Sequence, residues 1–149
     1  MKIKGKKLFI TGGAGFIASH LIERLIDDNE IIVYDTMHRN ALQYTDLQKH
    51  KNLKIIKGDV LDQEQLEKSL GNSDTVIHMA SIAGVSTVVE HPALTLKINL
   101  IGTYNLLEAC RKKGIKRFIS FSTSEVYGPN IYQADENGFT TIGAVGQPR

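Results

Sequence analysis

The sequence predicts an α/β fold, a doubly wound parallel sheet with helices on both faces, and three observations predict it. Short apolar runs alternate with longer one-sided ones along the 149 residues, the pattern of a parallel sheet with helical crossovers. A glycine-rich turn directly follows the first apolar run and opens the first helical pattern. An aspartate, Asp35, closes the second apolar run 20 residues past the central glycine, Gly15 (35 − 15).

Taken in order, strands are expected near residues 7–10, 31–35, 53–57, 75–78 and 117–121, with helices near 16–27, 41–49, 63–70 and 93–113. Leu21, Ile22, Leu25 and Ile26 make the first helix one-sided, as a crossover lying on a sheet requires. Right-handed crossovers then put ligands beyond the carboxyl ends of the strands. Residues 1–128 are expected to form one domain, whose ligand is read from the glycine turn and Asp35 below. Residues 129–149 are rich in Gly, Asn, Gln and Thr without strand or helix period, so they read as a long loop or as an ordered segment lacking its partner.

Composition narrows the function. A hydrophobic content of 42% supports one core, and a net charge of +2 with scattered lysines argues against a nucleic-acid partner. The single cysteine, Cys110, excludes a disulfide framework, fits a reducing cytoplasm and reads as a small helix filler. The run Leu8, Phe9, Ile10 is too short for a signal or membrane span. His20, His38, His50 and His91 have no ligand spacing, so no metal is expected. Leu94, Ile98, Ile101, Leu106 and Leu107 form a stripe read as core. Arg111, Lys112 and Lys113 before Gly114 mark a helix end, where cations favour the dipole.

Residues 11–20 read TGGAGFIASH. They fit Gly13-x-Gly15-x-x-Ala18 and equally Gly12-x-x-Gly15-x-x-Ala18. Glycines let the turn be tight and let backbone N–H groups approach a pyrophosphate at the positive end of a helix. Gly12, Gly13, Ala14, Gly15, Phe16 and Ile17 are therefore cofactor-binding candidates. A carboxylate at Asp35 can accept from both adenosine ribose hydroxyls and would repel a 2′-phosphate, which favours NAD over NADP. Arg39 is the nearby residue that could accommodate such a phosphate instead. Together these features make the expected fold Rossmann-type.

With these residues in place, the chain resembles the extended short-chain dehydrogenase/reductase family, specifically its NAD-dependent nucleotide-sugar epimerases, dehydratases and decarboxylases, through residues 6–128. The family's TGxxGxxG loop is matched at Thr11, Gly12 and Gly15, with Ala18 as the departure. Gly58, Asp59 and Val60 resemble its adenine segment; His78, Met79, Ala80 and Ser81 resemble its fourth-strand end; Asn99, Gly102 and Thr103 resemble the opening of its central helix. The resemblance implies cofactor contacts at Asp59, Val60, Ala80, Ser81, Asn99 and Ser122, and it assigns His78, at a strand end, to packing and backbone geometry.

Residues 119–128 read ISFSTSEVYG, an apolar run that turns polar. The resemblance places a substrate-facing hydroxyl at Thr123, which would hold the C4 oxygen of a sugar. Glu125 is the candidate acid or base, and Ser124 would orient either one. Thr-Ser-Glu at this place is more similar to dehydratases and UDP-glucuronate decarboxylases than to UDP-glucose 4-epimerases. The implied reaction begins with hydride transfer from C4 to NAD, followed by proton transfer or elimination nearby, on a UDP- or dTDP-sugar.

The family's base is a tyrosine with a lysine four residues later. None of Tyr34, Tyr44, Tyr104, Tyr127 and Tyr132 has that lysine. The expectation is that the 149 residues are an N-terminal fragment, that the sheet is incomplete at its C-terminus, and that residues 129–149 lead toward a missing catalytic helix and substrate domain. The fragment alone is expected to be inactive. The alternative is a non-catalytic dinucleotide-sensing or protein-interaction module. The resemblance further implies a homodimer through the helix near 93–113, whose Leu94, Leu96, Ile98, Ile101, Leu106 and Leu107 exceed one apolar face.

Overall fold

A computed structural model describes residues 3–128 and 133–141. Five strands, β1 (Lys7–Thr11), β2 (Glu30–Asp35), β3 (Leu53–Lys57), β4 (Thr75–His78) and β5 (Arg117–Ser120), form one sheet in the order β3-β2-β1-β4-β5. Every neighbouring pair is parallel. This is the doubly wound Rossmann arrangement, with the order reversing at β1.

Strand alternation supplies two cores, one on each face. Leu8, Ile10, Ile31, Val33 and Ile77 face one way, against Ile22 and Ile26 of the first crossover and Leu42. Phe9, Tyr34 and Val76 face the other way, against Leu66, Leu70, Leu106 and Ala109. Ile22 lies on α1 (Phe16–Leu25) and Ile26 just past its end, Leu66 and Leu70 lie on α2 (Gln63–Leu70), Leu106 and Ala109 on α5 (Thr103–Lys113), and Leu42 on a separate short turn. Ile22 and Leu106 are fully buried, and truncating either to alanine costs about 2–5 kcal/mol.

Register sets the functional rim. Thr11 pairs with Tyr34 and with His78, and His78 pairs with Ser120. Gly12, Asp35, Met79 and Phe121 therefore leave the sheet side by side at its carboxyl edge.

Three expectations about the helices are corrected. Residues 41–49 form two 3₁₀ turns, Ala41–Tyr44 and Asp46–Lys49, and not one helix. Thr45 lies between them in extended backbone, where its side chain accepts from Leu47 N–H, so local capping wins over continuation. A short helix, α3 (Val85–Glu90), precedes the central one and follows Gly84 at φ 109°; its six residues are too few to show a period. The central helix opens at Pro92 as α4 (Pro92–Leu96), widens into a π-helical stretch (Lys97–Gly102) and continues as α5. It ends at Gly114 in the left-handed conformation, behind Arg111, Lys112 and Lys113 as expected.

The apolar stripe also divides. Leu106 is buried and Ile98 half-buried, but Leu94, Ile101 and Leu107 stand exposed, with Leu96, Leu100 and Tyr104 beside them. The core reading fails for those three because the central helix, from α4 (Leu94) through the π-helical stretch (Ile101) to α5 (Leu107), turns only part of its circumference to the rest of the domain. Residues 133–141 contain no helix or strand; the rest of the expected 129–149 loop lies outside the described residues.

Candidate functional site

The glycine turn is built by close approach. Gly12 has φ 68°, and a Cβ there would stand 2.6 Å from the peptide joining Met79 to Ala80. A Cβ on Gly13 would meet Val33 Cγ2 at 2.7 Å. Both glycines are therefore demanded by packing of the rim strands. Gly15 differs: it has ordinary extended backbone, and its Cβ would meet only the Gly12 carbonyl, at 3.1 Å. Its bare face is a cradle that the fold itself does not fill. As the N-cap of α1 it brings no capping side chain, and the first turn carries no acid. The N–H groups of Phe16 and Ile17 thus sit at the positive end of a ten-residue helix that supplies neither a cap nor an acid of its own.

Asp35 is locked to this turn. Its Oδ2 accepts from Ala14 N–H at 3.1 Å and its Oδ1 from Met37 N–H at 2.8 Å. Each oxygen keeps lone-pair capacity beyond those bonds. Ala41 N–H, in turn, donates to Ala14 O at 2.7 Å. Beside it Asn40 has its Oδ1 buried without a hydrogen-bond partner among the described residues. Arg39 is exposed.

The adenine segment is tied to β2 through Tyr34, which is fully buried. Its hydroxyl lies 3.0 Å from Asp59 O and 3.0 Å from Gln65 Oε1, so one proton is shared by two acceptors. Gly58 lies against the tyrosine ring, where a Cβ would collide. Burial, with Asp62 and Asp59 nearby, pushes the phenol up to about 12. Asp59 Oδ1 accepts from Leu61 N–H, and Asn105, buried on α5, donates to Val60 O at 3.0 Å. Gly102 packs against Val60 so closely that a Cβ would clash.

On the other side of β1, His78 is buried between two hydroxyls, Thr11 Oγ1 at 2.6 Å from Nδ1 and Thr103 Oγ1 at 2.9 Å from Nε2. Burial lowers its pKa and keeps it neutral, in agreement with the packing role expected of it. Asn99 directs its amide to the Ile82 backbone, accepting from Ile82 N–H at 2.8 Å and donating to Ile82 O at 3.1 Å. Ser81 and Ser122 are exposed and Ala80 is half-buried on the same rim. Thr123 caps the 3₁₀ turn Ser124–Tyr127, accepting from Glu125 N–H at 3.3 Å. Ser124 and Glu125 are exposed. Thr141 N–H returns to Val126 O at 2.8 Å, which holds the turn against the following segment.

Sequence reading missed Tyr34, Asn40, Thr103 and Asn105 as supports of this rim. Asn105 left a legible signal, since it is a polar residue between buried positions of a helix. Tyr34 left none, because an aromatic ring at a strand end is ordinary core. Cys110 is buried and free, its thiol pushed up to about 11 by burial, so it is the inert filler expected of it. Among the described residues no cluster of His, Cys, Asp and Glu fits a metal, and no helix is long and apolar enough to cross a membrane.

A bare glycine cradle, a helix N-terminus without a cap or acid of its own and a carboxylate fixed to the same turn fit a dinucleotide, pyrophosphate on the turn and ribose at Asp35. Fold and site thus define a dinucleotide-binding domain of the Rossmann type. Residues 8–145 match the model of the NAD dependent epimerase/dehydratase family, and the chain belongs to that family, whose cofactor is NAD.

Among curated relatives, the chain is 35% identical over 145 residues to a UDP-N-acetyl-alpha-D-glucosaminuronate decarboxylase of Bacillus cytotoxicus, covering 97% of this chain and 44% of the relative. It is 35% identical to a dTDP-D-glucose 4,6-dehydratase of Dictyostelium discoideum, covering 92% and 33%. Among solved structures, a UDP-N-acetylglucosamine 4-epimerase from Methanobrevibacter ruminantium in complex with UDP-N-acetylmuramic acid superposes with TM-score 0.86 at 36% identity, over 93% of this chain and 45% of that one. A Thermus thermophilus UDP-glucose 4-epimerase in complex with NAD gives 0.78 at 32% identity, over 91% and 44%. The chain therefore spans less than half the length of these relatives.

Proposed function

We propose that this chain is the NAD-binding part of an enzyme that modifies a nucleotide sugar, an epimerase, dehydratase or decarboxylase working through transient oxidation at sugar C4. The observation that carries the proposal is Asp35 Oδ2 bonded to Ala14 N–H inside the glycine turn, which puts a carboxylate beside the pyrophosphate cradle. Gly12, Gly13, Ala14, Gly15, Phe16 and Ile17 receive the pyrophosphate, and Asp35 the ribose hydroxyls of the adenosine. Asp59 and Val60 border the adenine. Ala80, Ser81 and Ser122 line the nicotinamide side, with Asn99 acting through its hold on Ile82.

NAD supplies the hydride acceptor for C4. Thr123 holds the C4 oxygen and Glu125 moves the second proton, with Ser124 orienting them. No tyrosine in the chain has a lysine four residues on, so the 149 residues alone do not carry the base and are inactive. Residues 1–128 act as the cofactor domain and 129–149 as the segment leading toward the remainder of the site. UDP- and dTDP-sugars are the substrate class, supported by the relatives named above. Neither a nucleic-acid partner nor a membrane is part of the reading.

The free buried Cys110 favours a cytoplasmic setting. The exposed Leu96, Leu100, Tyr104 and Leu107 favour a homodimer of the intact protein through the central helix. Light scattering checks the dimer; a monomeric intact protein removes it. The core of the proposal is checked by calorimetry with NAD and NADP on the purified chain. Tighter NAD is expected, whereas tighter NADP would transfer the leading part from Asp35 to Arg39.

A further inference from the structure

His78 stands where β1, β4 and the central helix meet, and its hydrogen bonds run in one direction only. Thr103 Oγ1 lies 2.6 Å from Asn99 O, an atom that only accepts, so the single hydroxyl hydrogen of Thr103 goes there. His78 Nε2 must then donate to Thr103. A neutral imidazole has one N–H, so Nδ1 accepts, and the donor is the Thr11 hydroxyl. Thr11 Oγ1 keeps a lone pair, which Ala80 N–H meets at 3.4 Å. The series runs from Ala80 N–H through Thr11, His78 and Thr103 to the carbonyl of Asn99.

The widened helical stretch gives this series its end point. Thr103 N–H goes to Leu100 O, so the hydroxyl takes up the Asn99 carbonyl that a regular turn would offer to that N–H. Asn99 is also the residue whose side chain pairs twice with Ile82, in the segment that leaves β4 along the rim. One residue thus terminates the series with its backbone and clamps the rim with its side chain.

We propose that His78, through Thr103, is a positioning residue that holds the 80–84 segment against the cofactor site by fixing Asn99 in the π-helical stretch. The effect on cofactor depends on the reading that this rim binds NAD; the effect on the segment does not. Phe118, the ring 6.0 Å away, closes the imidazole from the β5 side, and burial without a nearby charge keeps it neutral.

The test uses amide exchange at Ile82, NAD calorimetry and imidazole ¹⁵N shifts. In the unaltered chain the shifts must report the Nε2–H tautomer; the Nδ1–H tautomer would overturn the proposal without any variant. Thr103→Val removes the hydroxyl and is expected to speed Ile82 exchange about five- to tenfold and weaken NAD by a comparable factor, as loss of one hydrogen bond implies. Thr103→Ser should restore both. His78→Gln, whose amide nitrogen can take the place of Nε2, should keep Ile82 protection closer to the original than His78→Asn, which keeps only an acceptor near Nδ1. Unchanged Ile82 exchange in a folded Thr103→Val chain would overturn the proposal. Faster Ile82 exchange in a chain that never binds NAD would uphold the clamp and remove the cofactor reading instead.

Discussion

The two ends of the carboxyl rim differ in how they are held. From β3 to β1 the rim is interlocked: Asp35 bonds the glycine turn, Tyr34 bonds the Asp59 segment, and Gly12, Gly13 and Gly58 each sit where a methyl group would collide. Beyond β4 the rim is open. Ser122, Thr123, Ser124 and Glu125 are exposed, and so is an apolar face of the central helix. On the proposed reading the adenosine and pyrophosphate of a dinucleotide are seated in the interlocked half, whereas the nicotinamide and the sugar meet the rim beyond β4, where the sugar site needs further surfaces. The proposed division of labour, cofactor binding complete and catalysis incomplete, follows from that difference.

The comparison breaks most severely at Gly12. Gly12→Val places a branched side chain at positive φ against the Met79–Ala80 peptide, and a loss of about 3 kcal/mol or more is expected from strain and overpacking together. Thermal unfolding followed by circular dichroism measures it, and NAD binding should vanish. Asp35→Asn comes next. It keeps the size and loses the charge, so NAD should weaken by about ten- to a hundredfold, the worth of charge-assisted hydrogen bonds, while NADP weakens less. Paired calorimetric titrations give the ratio.

A smaller effect belongs to Tyr34→Phe, which deletes only the bond to Asp59 O and Gln65. NAD affinity should fall by about two- to tenfold. Because the phenol is pushed up to about 12, the loss should be the same at pH 6 and pH 9.

The mildest prediction concerns His78 and acid. Its folded pKa is lowered by burial from the ordinary 6.5, so the unfolded chain takes up the proton first as pH falls. Its contribution is complete above pH 6.5 and is lost as pH drops from there through the folded value. His78→Gln should flatten this part of the stability profile, measured by urea unfolding between pH 7 and pH 5.

Much of the interlocked half was legible beforehand because its chemistry is local. Glycines in a turn and an acid at the end of the next strand are a spacing pattern, and the structure adds that Ala14 N–H and Asp35 Oδ2 meet. The roles of Tyr34 and Thr103 were illegible because their partners lie 25 residues away, at Asp59 and His78, and no periodicity reports such pairs. Periodicity misled where backbone geometry departs from the regular helix: the capping hydroxyl of Thr45 split the 41–49 helix, and the π-helical turn shifted the faces of the central one. The exposed Leu94, Ile101 and Leu107 show the same limit, since an apolar stripe does not say whether the surface covering it is the sheet or another chain.

The difference between the two ends of the rim is tested most directly by measuring NAD affinity in the 149-residue chain and in its Thr123→Val, Glu125→Gln double variant. If the cofactor half is complete, both bind NAD with dissociation constants within about twofold of each other, the range expected for exposed side chains outside the binding contacts. A folded original chain that does not bind NAD, or a double variant that loses tenfold or more, would contradict the account.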